Sequence, residues 1–210
     1  MGMFDLNVIK RGATIHGPVA TITAAMIAGV ADRVGAEKWF NDENPGSPVT
    51  RSKRRTLCRL VKNASGINLK PGRLVRFKLG TSGCEVDGYT HAIGQGDYAV
   101  VDEFLPSAGV RANDLFWVVL RGPVLAITNT AGDATGSISQ GSLVMAATAA
   151  SSQNDTNAGR VSVFSVASPT DATVALQNAN NQMNALGRAV SAMTSGQTDT
   201  NILIEADYHR

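Results

Sequence analysis

Aromatic side chains are scarce in this chain. Six Phe, three Tyr and two Trp are spread over 210 residues, and a composition so rich in Ala, Gly, Ser and Thr favours short strands, turns and backbone contacts over a large aromatic pocket. Cysteine is scarcer still. Cys58 and Cys84 lie far apart with no metal-ligand spacing around them, and they read as two buried thiols of a chain made in a reducing cytoplasm rather than as a bridge. The three histidines, His16, His91 and His209, have no spacing that would let them converge with carboxylates on a metal.

Long apolar runs are absent as well. A membrane span needs roughly 20 apolar residues, and the most apolar part of the first fifty, residues 15–34, is broken by His16, Gly17, Pro18, Thr21, Thr23, Asp32 and Arg33. The start, MGMFDLNVIKRG, places Asp5 before Lys10 and Arg11, the reverse of a secretory signal. No P-loop, G-x-S-x-G or H-E-x-x-H string occurs. Gly94-Gln95-Gly96-Asp97-Tyr98-Ala99 matches a dinucleotide-binding string, but YAVVDEF after it reads as strand, so no helix N-terminus would receive a phosphate. Asp102 and Glu103 are neighbours and would point to opposite faces of a strand, which makes a surface turn the better reading than an acid/base pair. No catalytic residue, cofactor, metal or membrane partner is expected, and the chain is not expected to be an enzyme.

What is present is a pattern of short strands. The apolar content of 43% suffices for a real core. NDLFWVVLRGPVLAIT, residues 113–128, joins two apolar runs at Arg121-Gly122-Pro123, and its β-branched and aromatic residues suit a pleated, buried surface: two strands, or one bent strand. Residues 56–62, 73–79 and 98–101 alternate to different degrees between Gly- and Pro-containing turns. Together they predict a mainly β fold, a small antiparallel barrel or sandwich over residues 56–210. Residues 1–55 form an arm. Ile22, Met26, Ile27, Val30 and Val34 fit one face of a helix over residues 20–39, closed by the turn formers NDENPGSP.

One loop is echoed. ASGINLKPGRLV (64–75) and ATGSISQGSLV (134–144) share the order small, hydroxyl, Gly, then an apolar residue, a turn Gly and Leu-Val. Each reads as a loop that closes on a glycine free to take positive φ before launching a strand. In the tail, NANNQMNALGRAVSAM admits a helix with Met183, Leu186 and Val190 on one face. It equally admits a strand over 186–193 paired with NILIEA (201–206), and the turn formers TSGQTD between the two segments favour the hairpin.

The strongest charge signal lies between Arg51 and Lys78: ten Lys and Arg with no acid, in a chain of net charge +2. Such a strip could neutralise phosphates, but Phe77 is its only aromatic residue and single-strand binders need stacking platforms. Nucleic acid is therefore not the expected partner. Docking on an acidic protein surface is the alternative to a plain solvated face, with Arg51, Lys53, Arg54, Arg55 and Arg59 as contact candidates. Phe116, Trp117 and Trp39 are candidates for core or interface anchors.

The order of features in KNASGINLKPGRLVRF, GDYAVVDEFLPSAGVRANDLFWVVLRGPVLAIT, ISQGSLVMAATAA and LGRAVSAMTSGQTDTNILIEADY resembles that of the small β-rich proteins that cement or decorate tailed-bacteriophage capsids. The resemblance covers residues 62–210. It implies a homo-oligomer, commonly a trimer, on the outer capsid surface of the virion, bridging neighbouring major capsid subunits and stabilising the shell. The arm of residues 1–55 is longer than such a protein needs. A minor virion component, such as a head-fibre base or tail adaptor, and a non-viral β-sandwich binding module are the alternatives.

Overall fold

The computed structural model describes residues 11–12, 34–41, 54–88, 97–128, 137–147, 158–164, 171–183, 185–193 and 201–207. Among these are ten strands and one helix: β1 (Glu37–Asn41), β2 (Arg55–Asn63), β3 (Leu74–Phe77), β4 (Glu85–Asp87), β5 (Tyr98–Val101), β6 (Leu115–Ile127), β7 (Leu143–Ala146), β8 (Val161–Val163), α1 (Ala172–Met183), β9 (Ala185–Ala189) and β10 (Asn201–Asp207). The fold is mainly β, as expected, and its pairing is mostly antiparallel. The exception among the strand ladders is β2 on β4, which is parallel.

The two apolar runs of residues 113–128 form a single strand, β6, thirteen residues long. It is bent rather than broken. Gly122 takes φ +99°, and a Cβ there would lie 2.5 Å from the carbonyl oxygen of Arg55, so the bend needs both the left-handed backbone and the missing side chain. The β2 ladder on β6 ends at Arg121 after a bulge at Leu57/Cys58, just before Pro123, which has no N–H to give to a ladder. From Arg121 onward β6 is the partner of β10.

Because β6 changes partners at its bend, the pairings describe two closed circuits that share it. The first runs β2–β4–β3–β5–β6 and back to β2. The second runs β6–β10–β9–β7–β8, closed by a parallel bridge between Thr128 and Val161. The echoed loops occupy equivalent places in the two circuits. Gly72 and Gly141 have φ +71° and +85°. The N–H of Gly72 donates to Val101 O, and Val101 N–H donates to Arg73 O; Gly141 to Ala189 O and Ala189 to Ser142 O repeat that pair. Leu69 bridges Val110 as Ile138 bridges Met193.

The register repeats beyond the loops. Leu74–Val100–Val119 in one circuit corresponds to Leu143–Arg188–Glu205 in the other. Phe77–Val86–Asn63 likewise corresponds to Ala146–Val161–Thr128. The two halves are thus the same arrangement built twice, with β6 acting as last strand of the first and first strand of the second.

Packing distinguishes them. One cluster, including Val61, Val75, Phe77, Val86, Val101, Phe116 and Val118, draws on all five strands of the first circuit. The equivalent positions of the second, Ala126, Val144, Ala146, Val161, Ala189, Ile202 and Ile204, belong to a second cluster. That cluster also contains Cys58, Leu60, Leu74, Tyr98, Val100, Trp117 and Val119 from the first circuit, so the second circuit's core is continuous with a face of the first. Trp117 is fully buried there, with Phe40 of β1 edge-on at 5.2 Å.

One expectation is corrected, and one pair of alternatives is resolved. The helix expected over residues 20–39 does not reach its end, because Glu37–Asn41 is strand paired antiparallel with β2. Its alternation exposes Glu37, Trp39 and Asn41 while Lys38 and Phe40 are half-buried, which a helical spacing cannot do. Residues 20–33 lie outside the described part. In the tail, β9 and β10 form the expected hairpin partners, with Ile204 opposite Ala189. The Asn/Gln-rich stretch before them is helical: α1 ends at Met183, just before β9, and Asp171 caps it by accepting from Val174 N–H at 3.0 Å.

Gly122→Ala is expected to lower unfolding free energy by about 2 kcal/mol or more, because it adds a close contact to backbone strain. Gly80→Ala, where φ is +80° but no atom lies within 4 Å of the new Cβ, should cost about 1 kcal/mol. Denaturant midpoints of the two variants measure the difference.

Candidate interaction surface

The basic strip does not survive as a strip. Arg54 pairs with Glu205, Lys62 and Lys78 with Glu85, and Arg76 with Asp87 at 3.1 Å. Arg59, expected at the surface, is buried: its guanidinium pairs with Glu37 and lies 5.3 Å from the centroid of Phe77. Lys70 donates to the carbonyls of Ser107 and Ala108, and Arg73 to that of Ala158. The acids come from outside the stretch, so folding supplies a neutralisation that linear inspection misses. Arg51 and Lys53 lie outside the described residues. Arg55 is exposed, and among the described residues no carboxylate pairs with it.

The anchor candidates separate cleanly. Phe116 and Trp117 are in the core. Trp39 is 52% exposed, on strand β1, which stands at the end of the strand order. Register places Trp39 opposite Leu57 and Asn41 opposite Arg55, so Trp39 and Arg55 project from the same face, two positions apart along the ladder. Phe40, the neighbour of Trp39, points the other way and pins the strand to Trp117. This is a rigid mount for an exposed aromatic side chain beside a cation, and Trp and Arg are the residue types that dominate interface energetics.

A second polar cluster contradicts the surface-turn reading of Asp102 and Glu103. The Asp102 side chain is fully buried. Its Oδ1 accepts from Arg11 Nε at 3.1 Å and Nη2 at 2.9 Å, and its Oδ2 accepts from Gly12 N–H at 2.8 Å. Glu103 Oε1 stands 3.7 Å from the same Nη2, while its Oε2 accepts from Leu125 N–H at 3.3 Å. The Arg11 guanidinium also lies 4.6 Å from the Phe104 centroid. The carboxylates are a cradle for Arg11. Sequence inspection missed it because β5 ends at Val101, so the strand-alternation argument applied to Asp102 and Glu103 fails one residue too late.

Asn63 organises the Asn63-Ala64-Ser65-Gly66 turn that opens the first echoed loop. Fully buried, its Nδ2 donates to the carbonyls of Ile67 and Val110, both at 2.9 Å, and its Oδ1 accepts from Ser65 N–H and Oγ. The loop is tied by one side chain that satisfies backbone groups water cannot reach. Both cysteines are free; Cys58 is buried and Cys84 only half-buried. Burial pushes the Cys58 thiol up to about 12, opposed by Arg11 and reinforced by Asp102, and burial likewise raises Tyr98 to about 12. His16, His91, His209 and the Gly94–Gly96 string lie outside the described residues. Among the described residues no three His, Cys, Asp or Glu side chains cluster as metal ligands, and no helix is long and apolar enough to cross a membrane.

In comparisons with known proteins, no family model matches the chain and no curated protein matches it.

Asp102→Ala should cost about 3 kcal/mol, since it removes the nearer carboxylate and both of its hydrogen bonds from a buried Arg11, leaving only Glu103 at 3.7 Å; thermal unfolding checks this. The raised thiol and phenol give a sign for alkaline pH. The unfolded chain releases those protons near 9 and 10 while the folded chain holds them to about 12. Stability is therefore full below pH 9 and falls as pH rises from 9 towards 12. Urea titrations of wild type and Cys58→Ala across that window should show a shallower fall in the variant.

Proposed function

We propose that the chain is a structural virion protein that binds the outer surface of a bacteriophage capsid and bridges neighbouring major capsid subunits, working as a homo-oligomer, a trimer on the strength of the family resemblance. In this reading each closed strand circuit is a small β-barrel, and the two barrels form a stiff platform with the β1 edge as its capsid-facing side. The observation that carries it is the placement of exposed Trp39 and Arg55 on the same face of the β1–β2 ladder, two positions apart, with β1 held from behind by Phe40 and Trp117. A protein that staples a lattice needs a rigid body with a few strong anchors, because many modest contacts multiply through repetition. The surviving cation at Arg55, with Arg51 and Lys53 nearby in sequence, supplies the charge for an acidic capsid surface.

The reading is tested in two steps. In purified particles the copy number of this chain, measured by quantitative mass spectrometry, should lie within a small factor of the major capsid protein. Complete absence from particles would end the virion reading. Trp39→Ala and Arg55→Glu should then each weaken binding to undecorated capsids about tenfold or more, while their unfolding free energies stay within about 0.5 kcal/mol of wild type. Unchanged capsid affinity in both variants would remove the β1 edge from the interface.

A further inference from the structure

The cradle at the end of β5 is anchored on its own side by Phe104 N–H on Asp102 Oδ1 and Leu125 N–H on Glu103 Oε2. Its other contacts go to the guanidinium of Arg11 or to the backbone of Gly12. Each residue type is demanded by the geometry. Two nitrogens of the guanidinium converge on Asp102 Oδ1, an arrangement that a lysine's single ammonium nitrogen cannot reproduce. At Gly12, φ is +79° and a Cβ would fall 2.6 Å from the carbonyl oxygen of Phe104, so only glycine can follow the arginine. The site is therefore a recognition pocket for an Arg–Gly step, 91 residues away in sequence from the Asp102 that binds it.

From this we infer that the pocket is an interaction site between copies of the chain, in which the Arg11–Gly12 step of one copy occupies the Asp102–Phe104 cradle of another. Two considerations carry the step from the intramolecular contact to the exchanged one. The first is the cost of an empty cradle. Asp102 is fully buried, and a buried carboxylate stripped of its cation is strongly disfavoured, so the arm leaves only when an equivalent group replaces it. A second copy offers the identical group, and exchange therefore conserves every contact. The second is reach. Twenty-one residues separate Gly12 from Val34, where the chain is again fixed by Gly35 N–H donating to Leu60 O. At most about 3.5 Å per residue, that tether spans up to roughly 75 Å, well beyond the radius of gyration of about 17 Å for a domain of this size. By length alone, that stretch suffices to join Val34 of one copy to a cradle on a neighbour.

What decides between the two arrangements is then concentration, since a short tether holds its own ligand at an effective concentration in the millimolar range. Densely packed copies on a surface meet that condition. The inference does not need the capsid reading, because exchange is measurable with the purified chain alone.

The test uses the full chain with Phe104, which is 39% exposed, replaced by photoreactive benzoylphenylalanine. Unlabelled and nitrogen-15-labelled preparations are mixed, equilibrated, irradiated and digested, and the cross-linked peptides containing position 104 and residues 11–12 are weighed. At roughly millimolar chain concentration, with the two preparations mixed in equal amounts, cross-links joining a light peptide to a heavy one should rise to about one third of the frequency of same-label ones, and hundredfold dilution before equilibration should remove them. Same-label cross-links only, at both concentrations, would show that the arm never leaves its own chain and would overturn the inference. A failure of capsid binding with exchange intact would instead count against the proposed function alone. Arg11→Lys in one of the two preparations should reduce the mixed cross-links formed by that preparation's arm, which ties the signal to the guanidinium fork.

Discussion

One strand governs this molecule. Leu115–Ile127 closes a circuit with β2 through its first half and opens another with β10 through its second, so the relative placement of the two halves is set by a continuous backbone rather than by a linker. Continuity has a steric condition. Where the strand turns from one partner to the next, the carbonyl of Arg55 approaches the Gly122 Cα so closely that no side chain fits, and the left-handed φ there is one that L residues rarely adopt. The Arg-Gly-Pro sequence combines a residue that tolerates the bend with one that ends a ladder. Remove the bend, and β6 would have to end with β2 or abandon β10.

The repeated register shows how far that arrangement is reused. Positions that face inward in the first circuit carry Phe77, Val61 and Val101, and their counterparts carry Ala146, Ala126 and Ala189. A circuit lined by smaller side chains encloses less apolar surface, and burial contributes in proportion to area. The second half compensates by merging its core with the Trp117 face of the first. The two halves share a register and a loop-closing pair of hydrogen bonds and differ in packing: the first circuit has a cluster of its own, while the core of the second continues into the first.

Much of this was legible in the sequence, and the parts that were not share a cause. The apolar stretch of β6, the alternation of β2 and β3 and the hairpin of β9 and β10 announce themselves because each strand carries its own period. The echoed loops were visible as well, though the sequence likeness stops where the structural likeness continues: Val100 and Val119 correspond to Arg188 and Glu205, a correspondence kept by register and by no shared residue type. Strand β4 is three residues long and β1 only five, too short to show a period, and both exist because β2 is there to pair with them. The charge signal misled for the same reason. A run of cations without acids describes the chain's local composition, whereas Glu37, Glu85, Asp87 and Glu205 arrive from other strands. Asp102 looked like surface because its partner Arg11 is 91 residues away.

That neutralisation constrains how the molecule can recognise anything. A broad positive field would steer many acidic partners and hold them in a salt-dependent way, but here Arg54, Arg59, Lys62, Lys70, Arg73, Arg76 and Lys78 are committed to carboxylates or backbone carbonyls, and the net charge is only +2. Affinity must then come from shaped contacts. Two places in the described residues offer them: the Trp39 and Arg55 pair, mounted on a strand fixed from behind, and the Arg–Gly cradle, where a charge is read together with the absence of a side chain. The first presents an anchor and the second receives one. Under the two proposals above, a contact with a surface and a contact between copies draw on different residues, Trp39 and Arg55 for the one and Arg11, Gly12 and Asp102 for the other.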